Sequence, residues 1–257
     1  MMASVDLNAD MGESFGPWVM GNDEALLAIV SSANIACGFH AGDPDVMETT
    51  MKAAALRGVG IGAHPGFDDL QGFGRRRITL PPATLTNLIT YQIGAAQALA
   101  ASVGSEVRHV KLHGAMSNMA GEDEAMALTC FEAIVSAAPQ STIMILPGTA
   151  HETATRKLGC KVACEIFADR AYNDDGSLVD RSLPGAVIDD PHAAAERTVA
   201  MVKAGAIRSQ SGKLIPVRID TICCHGDTPG AVDVAKAVRR GLEAEGMTVQ
   251  KLRGAPL

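Results

Sequence analysis

Short hydrophobic runs, rich in Val and Ile and bounded by glycine, alternate with amphipathic stretches along the whole chain. The runs Ser4–Asn8, Ala33–Gly38, Gly58–Ala63, Val107–Leu112, Thr142–Leu146, Lys161–Phe167 and Arg218–Cys224 have the near-continuous apolar character of parallel strands buried on both faces. Between them lie helical patterns with recognisable starts. Asp43-Pro44, Asp190-Pro191 and Thr228-Pro229 each set an N-cap residue before a proline at the first helical position. The spacing predicts helices over Ala83–Ser102, Asp123–Ala138, His192–Lys203 and Ala231–Glu245, with Gly58, Gly104 and Gly246 as stops. Two segments break the rhythm: a long polar loop, Arg170–Gly185, and a glycine-rich one, Gly66–Arg77.

Seven βα units without a linker predict one α/β domain over residues 1–257, an irregular seven-stranded, TIM-like β/α barrel. An open doubly wound sheet is the competitor, but it concentrates its site at one switch point, commonly with a GxGxxG turn after the first strand. That turn is missing here, and polar clusters follow nearly every strand, as a barrel that gathers its site from all strands requires. Hydrophobic residues make up 47% of the chain and aromatics only 4%, so the core is expected to be aliphatic. A net charge of −7 argues against nucleic acid or an anionic membrane surface as a partner. No apolar run is long enough to span a bilayer. The N-terminal MMASVDLNAD lacks the basic-then-apolar pattern of a signal peptide. A cytoplasmic protein is expected, with its six cysteines as reduced core thiols.

The chemistry collects after the strands. The first gives Asp6, Asn8, Asp10 and Glu13; the second His40 and Asp43; the third His64; the fourth Lys111, His113 and Asn118; the sixth Glu165, Asp169 and Arg170; the seventh His225 and Asp227. Four of the seven histidines sit at equivalent places, in FHAG, HPG, LHG and CHG. Asp6, Asn8 and Asp10 alternate along one strand and share a face, which is costly in a barrel interior unless the groups are paired or used. Lys111 at a strand end needs a partner and can stabilise an oxyanion. Asp43 and Asp227 have an equal reading as helix caps. His109, His151 and His192 read as exposed or helix-start residues outside the site. GxSxG, a phosphate loop and HExxH are all absent. What remains is acid–base chemistry by carboxylate, histidine and lysine, or a divalent metal on His40, His64 and His225 with an aspartate.

Six blocks in order resemble the LamB/YcsF family: DLNADMGES (Asp6–Ser14), NIACGFHAGDP (Asn34–Pro44), IGAHPGFDDLQGFGRR (Ile61–Arg76), VKLHGAMSN (Val110–Asn118), EIFADRAYNDDGSL (Glu165–Leu178) and CHGDTPGAV (Cys224–Val232). The resemblance covers nearly the whole chain. The fourth block departs from the family's usual VKPHGALYN at Leu112 and Ser117. The resemblance implies a barrel like those of the glycoside hydrolase/deacetylase superfamily. It also implies a 5-oxoprolinase reaction, the ATP-dependent opening of 5-oxo-L-proline to L-glutamate with two further subunits, B and C. ATP is then co-substrate of the complex, and a homo-oligomer is compatible with the chain.

On that footing Asp10 or Asp6 is expected as general base, with Lys111 and His113 polarising the lactam carbonyl. Asn8, Glu13, Asn118 and Glu165 are expected to bind substrate, and Arg75, Arg76 or Arg170 to engage its carboxylate or a phosphate. For the arginine pair the competing expectation is a solvated loop paired with Asp68 and Asp69. Two other functions compete: a stand-alone metal-dependent deacetylase or amidohydrolase, and a non-catalytic regulatory subunit that binds a ligand.

Overall fold

The computed structural model describes residues 4–226 and 230–257. In chain order the elements are β1 (Ser4–Met11), α1 (Asp23–Leu27), β2 (Ser32–Ala36), α2 (Pro44–Leu56), β3 (Gly60–His64), α3 (Pro82–Ser102), β4 (Val107–Val110), α4 (Gly114–Glu122), α5 (Glu124–Ala137), β5 (Thr142–Ile145), α6 (Ala150–Leu158), β6 (Val162–Phe167), α7 (Pro191–Ala204), β7 (Ala206–Arg208), β8 (Leu214–Pro216), β9 (Thr221–Cys224), α8 (Ala231–Ala244) and β10 (Thr248–Val249). Strands β1 to β6 follow one another in parallel, β6 pairs with β9, and β9 pairs back onto β1. The sheet is therefore a closed seven-stranded barrel and not an open one. Closure leaves no barrel edge exposed.

All seven predicted strands are present. β1 runs on to Met11, because Asp10 and Met11 still pair with Asn34 and Ile35 of β2. The seventh begins only at Thr221, because Arg218 and Asp220 pair with each other beneath the barrel. Asp43 and Asp190 cap α2 and α7 as expected, each accepting two backbone N–H bonds. Asp227 and the predicted Thr228-Pro229 start lie outside the described residues. The antiparallel β7–β8 hairpin and the short β10 add to the predicted elements.

The register divides the sheet into two faces. Val5, Leu7, Ala9 and Met11 of β1 pack outward in the aliphatic layer beneath the helices. The inner face carries Asp6, Asn8 and Asp10 from β1, Ser32 and Asn34 from β2, His109 from β4, Glu165 from β6, and Thr221 and Cys223 from β9. Branched aliphatics ordinarily fill such an interior; here a hydrogen-bonded polar column does. Ser31, Ser32 and Thr221 donate to the Asp6 carboxylate at 2.7, 2.7 and 2.6 Å. Asn8 donates to Thr221 at 2.7 Å and to Glu165 at 3.1 Å. Asn34 donates to Asn8 at 2.7 Å and to Asp10 at 2.8 Å. Each side chain of this column has a partner, which offsets the cost of removing it from water. The tail closes the barrel floor: Leu252 packs on Met144 and Ala163, and Ala255 bridges to Val162.

Candidate active site

At the C-terminal ends of the strands the polar column opens into a cavity of about 600 Å³. Its floor is Lys111, the residue just after β4. The Lys111 Nζ lies 2.9 Å from Asp10 Oδ1 and 2.9 Å from Glu165 Oε1. Burial alone would favour the neutral amine, but the two carboxylates outweigh it and hold Lys111 well above the usual lysine range. Burial acts on Asp10 in the opposite sense, and the Lys111 charge overrides it, so Asp10 stays well below the usual carboxylate range. Cation and anion fix each other's charge. Cys223 Sγ, 3.1 Å from Nζ, completes the contact.

Beside this triad stand three histidines. His64 Nε2 is 3.4 Å from Asp10 Oδ2, and His64 Nδ1 lies 2.7 Å from the Lys111 carbonyl. His113 Nδ1 is 3.1 Å from His64 Nε2, and His113 Nε2 lies 2.7 Å from the Phe73 carbonyl. His40 stacks on His113 with ring centroids 3.7 Å apart. Burial, then the neighbouring histidine charges, keeps His40 and His113 well below the usual imidazole range.

Next to Asp10, with a donor atom within 4.8 Å of it and of Cys223, His225 after β9 meets Asp169 after β6. Both Asp169 oxygens lie 2.9 Å from His225 Nδ1, and the His225 backbone N–H donates to one of them at 3.1 Å. A carboxylate there fixes the ring with its Nδ1–H on Asp169, leaving Nε2 as the basic atom. Phe167 stacks on the ring at 5.4 Å. Burial would raise the Asp169 pKa, but the His225 charge and hydrogen bonds lower it below the ordinary value.

The cavity roof is the segment after β6. Arg170 donates to the carbonyls of Val179 and Ala186 at 2.6 and 3.3 Å, holding that segment together. The β7–β8 hairpin braces it from outside, with Ser209 and Ser211 donating to Asp174 at 2.6 and 2.7 Å.

The structure thus brings together on one cavity Asp10, Glu13, His64, Arg75, Lys111, His113, Asn118, Glu165, Arg170 and His225. Leu112 and Ser117, the two departures in the fourth block, line it as well. Four expectations change. Asp6 lies deep in the barrel, hydrogen-bonded to three hydroxyls, and does not reach the cavity. Asn8 braces Glu165 from below and does not face the cavity. Arg76 turns to Asp69, with Nε 2.8 Å from Oδ1, so of the adjacent pair only Arg75 faces the site. The expected metal set is divided: His40 and His64 gather with Glu13 and His113, whereas His225 gathers with Asp10 and Cys223 and is hydrogen-bonded to Asp169.

Two histidines read as exposed are buried. His109 is 1% exposed because Nε2 donates to Asn34 at 2.9 Å inside the barrel. Its ring fills the space above Gly62, where a Cβ would stand 2.0 Å from Nε2. Burial, followed by the nearby Lys111 charge, pushes it down to about 3. His151, also 1% exposed, accepts from Leu146 N–H at 3.2 Å and donates to the Ser117 carbonyl at 3.0 Å. Asp169 is the residue that sequence reasoning placed after a strand without a role. His109 carried a signal, since it alternates with Lys111 and must share its face.

Comparison with known proteins agrees with the fold. A relative from Ruegeria pomeroyi, named as the A subunit of 5-oxoprolinase, is 60% identical over 96% of this chain and 98% of its own length. Another of that name, from Rhodopseudomonas palustris, is 52% identical over 96% and 98%. The crystal structure of a lactam utilization protein from Thermus thermophilus superposes with a TM-score of 0.91 at 43% identity, covering 97% of this chain and all of that one. A family 4 carbohydrate esterase from Streptomyces lividans shares the fold, with a TM-score of 0.52 at 12% identity over 96% and 91%. The LamB/YcsF family pattern matches residues 5–256, and the chain belongs to the LamB/YcsF family.

Proposed function

We propose that this chain is the A component of an ATP-dependent 5-oxoprolinase, opening the lactam ring of 5-oxo-L-proline to L-glutamate together with subunits B and C. The observation that carries the reading is a buried, charge-matched triad, Asp10–Lys111–Glu165, adjoined on the cavity wall by His225, which Asp169 orients from behind. The names of the relatives that match along their full length support the lactam substrate.

The roles follow from the charges. Asp10, held ionised by Lys111, is a poor proton acceptor. His225 is the better general base, because Asp169 orients the ring and stabilises the imidazolium formed when it takes a proton from water. Lys111 supplies positive charge to the oxygen that becomes negative as water adds to the carbonyl. Arg75, on the cavity wall, suits the substrate carboxylate. The cavity, at about 600 Å³, lies within the usual size of a small-molecule site and exceeds a single lactam. An amide in a five-membered ring is unreactive, so coupling to ATP supplies the driving force, and an ATP-coupled reaction fits a cytoplasmic protein.

The test is 5-oxoproline-dependent release of ADP and glutamate, by this chain alone and with subunits B and C. Glutamate formed only in the complete mixture supports the reading; no turnover with active partners sinks it. The histidine cluster favours one other reading, a stand-alone metal-dependent amidohydrolase, which requires turnover without ATP or partners.

A further inference from the structure

The three histidines beside the triad present a hydrogen-bonding conflict. A carbonyl oxygen accepts and never donates, so the 2.7 Å contacts to the Lys111 and Phe73 carbonyls put protons on His64 Nδ1 and His113 Nε2. In neutral rings the nitrogens left over, His64 Nε2 and His113 Nδ1, face each other as two lone pairs 3.1 Å apart, with Asp10 Oδ2 3.4 Å from His64 Nε2, so a cation or a shared proton must lie there. The backbone maintains this arrangement at a cost. Phe73 is the only non-glycine among the described residues with a positive φ, 53°, and that conformation aims its carbonyl at His113. His40 adds a second anomaly. Both of its ring nitrogens are buried without any hydrogen-bond partner. Glycine at 66 and 74 leaves the room, since a Cβ there would stand 2.6 Å from His40 Nδ1 and 2.7 Å from His113 Cδ2.

Converging lone pairs, an orphaned imidazole and an adjacent carboxylate together call for a cation. We propose that Glu13, His40, His64 and His113, whose donor atoms lie within 4.8 Å of one another, bind one divalent transition-metal ion of the zinc class. Three imidazoles and one carboxylate are the donors such ions prefer over magnesium or calcium. Metal-bound histidines characteristically give their other N–H to a carbonyl or carboxylate, as His64 and His113 do here. Glu13, His64 and His113 line the cavity, so a bound ion supplies a Lewis acid at its wall. Occupancy is independent of the ring-opening reading; only the use of the ion in catalysis rests on it.

The experiment is titration of the metal-stripped chain, without ATP or partners, with zinc chloride by calorimetry and with cobalt chloride by visible absorption. One equivalent per chain is expected, with the intense cobalt bands of a site of low coordination number. His40→Ala and His113→Ala should each weaken binding by at least about 10-fold, the lower end of the effect of losing even an outer partner of a metal site. Glu13→Gln, at the cavity wall, should weaken it while leaving circular dichroism unchanged, which covers the case in which a core histidine variant fails to fold. His192→Ala, at the exposed start of α7, is the control for adventitious surface binding. No saturable equivalent, or binding that survives Glu13→Gln and both histidine changes, overturns the proposal and assigns the facing nitrogens a shared proton. Because binding is read without turnover, a negative result here and a failure of the oxoprolinase assay are distinguishable.

Discussion

Replacing Lys111 by Met keeps the length of the side chain and removes the one cation between two carboxylates. Asp10 and Glu165 each lie 2.9 Å from Nζ, with side chains 8% and 3% exposed, so neither can turn to water. Breaking a buried ion pair by deleting one member costs about 3–5 kcal/mol. Protonation of one carboxylate relieves part of that cost and sets its pH dependence. An unfolded aspartate titrates near 3.9, and the roughly 3.1 pH units from there to pH 7 correspond to about 4 kcal/mol at 1.36 kcal/mol each. At pH 5 the same proton costs only about 1.5 kcal/mol. The sign follows from linkage. In the native protein the depressed Asp10 contributes stability that is present above the unfolded value and is lost as pH falls. In Lys111→Met the surviving carboxyl is raised, so its contribution is present at low pH and is lost as pH rises. Urea unfolding of both proteins from pH 5 to 8 should show the difference shrinking by about 2.5 kcal/mol from pH 7 to pH 5. A difference that does not vary with pH, or one below about 1 kcal/mol throughout, refutes the claim that Lys111 holds Asp10 ionised.

Asp169→Asn in the assembled enzyme should lower kcat by about 10²–10⁴-fold with little change in KM, since it removes the group that orients a general base; steady-state kinetics across pH checks it. Gly62→Ala should destabilise the fold by about 1–3 kcal/mol in chemical denaturation, because the added Cβ would stand 2.0 Å from His109 Nε2 with the barrel packed behind it. Burial raises Asp6 to about 6, so its stabilising contribution is present below pH 4 and is lost as pH rises through 6. Asp6→Asn removes that titration, and its stability relative to the native protein should improve by about 3 kcal/mol between pH 4 and pH 8 in thermal or urea unfolding.

The strands were legible because buried parallel strands are short, apolar and bounded by glycine, and the register then follows from strand order. The shared face of Asp6, Asn8 and Asp10 was legible for the same reason: alternation survives whatever surrounds it. Depth along that face was not. Asp6 and Asp10 look alike in sequence, but only Asp10 comes within reach of Lys111, since the site sits at one end of the barrel. Arg75 and Arg76 are neighbours whose opposite directions depend on a loop held by Asp69, and no local pattern encodes that. His109 was misplaced because its burial depends on Gly62, which lies 47 residues earlier on β3 and is neutral in any hydropathy pattern. Asp169 gained its role only from His225, which is 56 residues away.

Closure of the barrel between β1 and β9 has a consequence for how the chain is made. Thr221, which satisfies Asp6 and Asn8, follows them by 215 and 213 residues. A ribosome adds about 5–20 residues per second, so β1 emerges tens of seconds before the strand that completes it. Through that interval Asp6 and Asn8 each lack their Thr221 partner, and one full edge of β1 is unpaired. The nascent chain therefore stays an open, pairing-competent sheet until its last quarter is synthesised. Folding must be completed after translation, and the seam of the barrel is where chaperone protection or misassembly will first be felt.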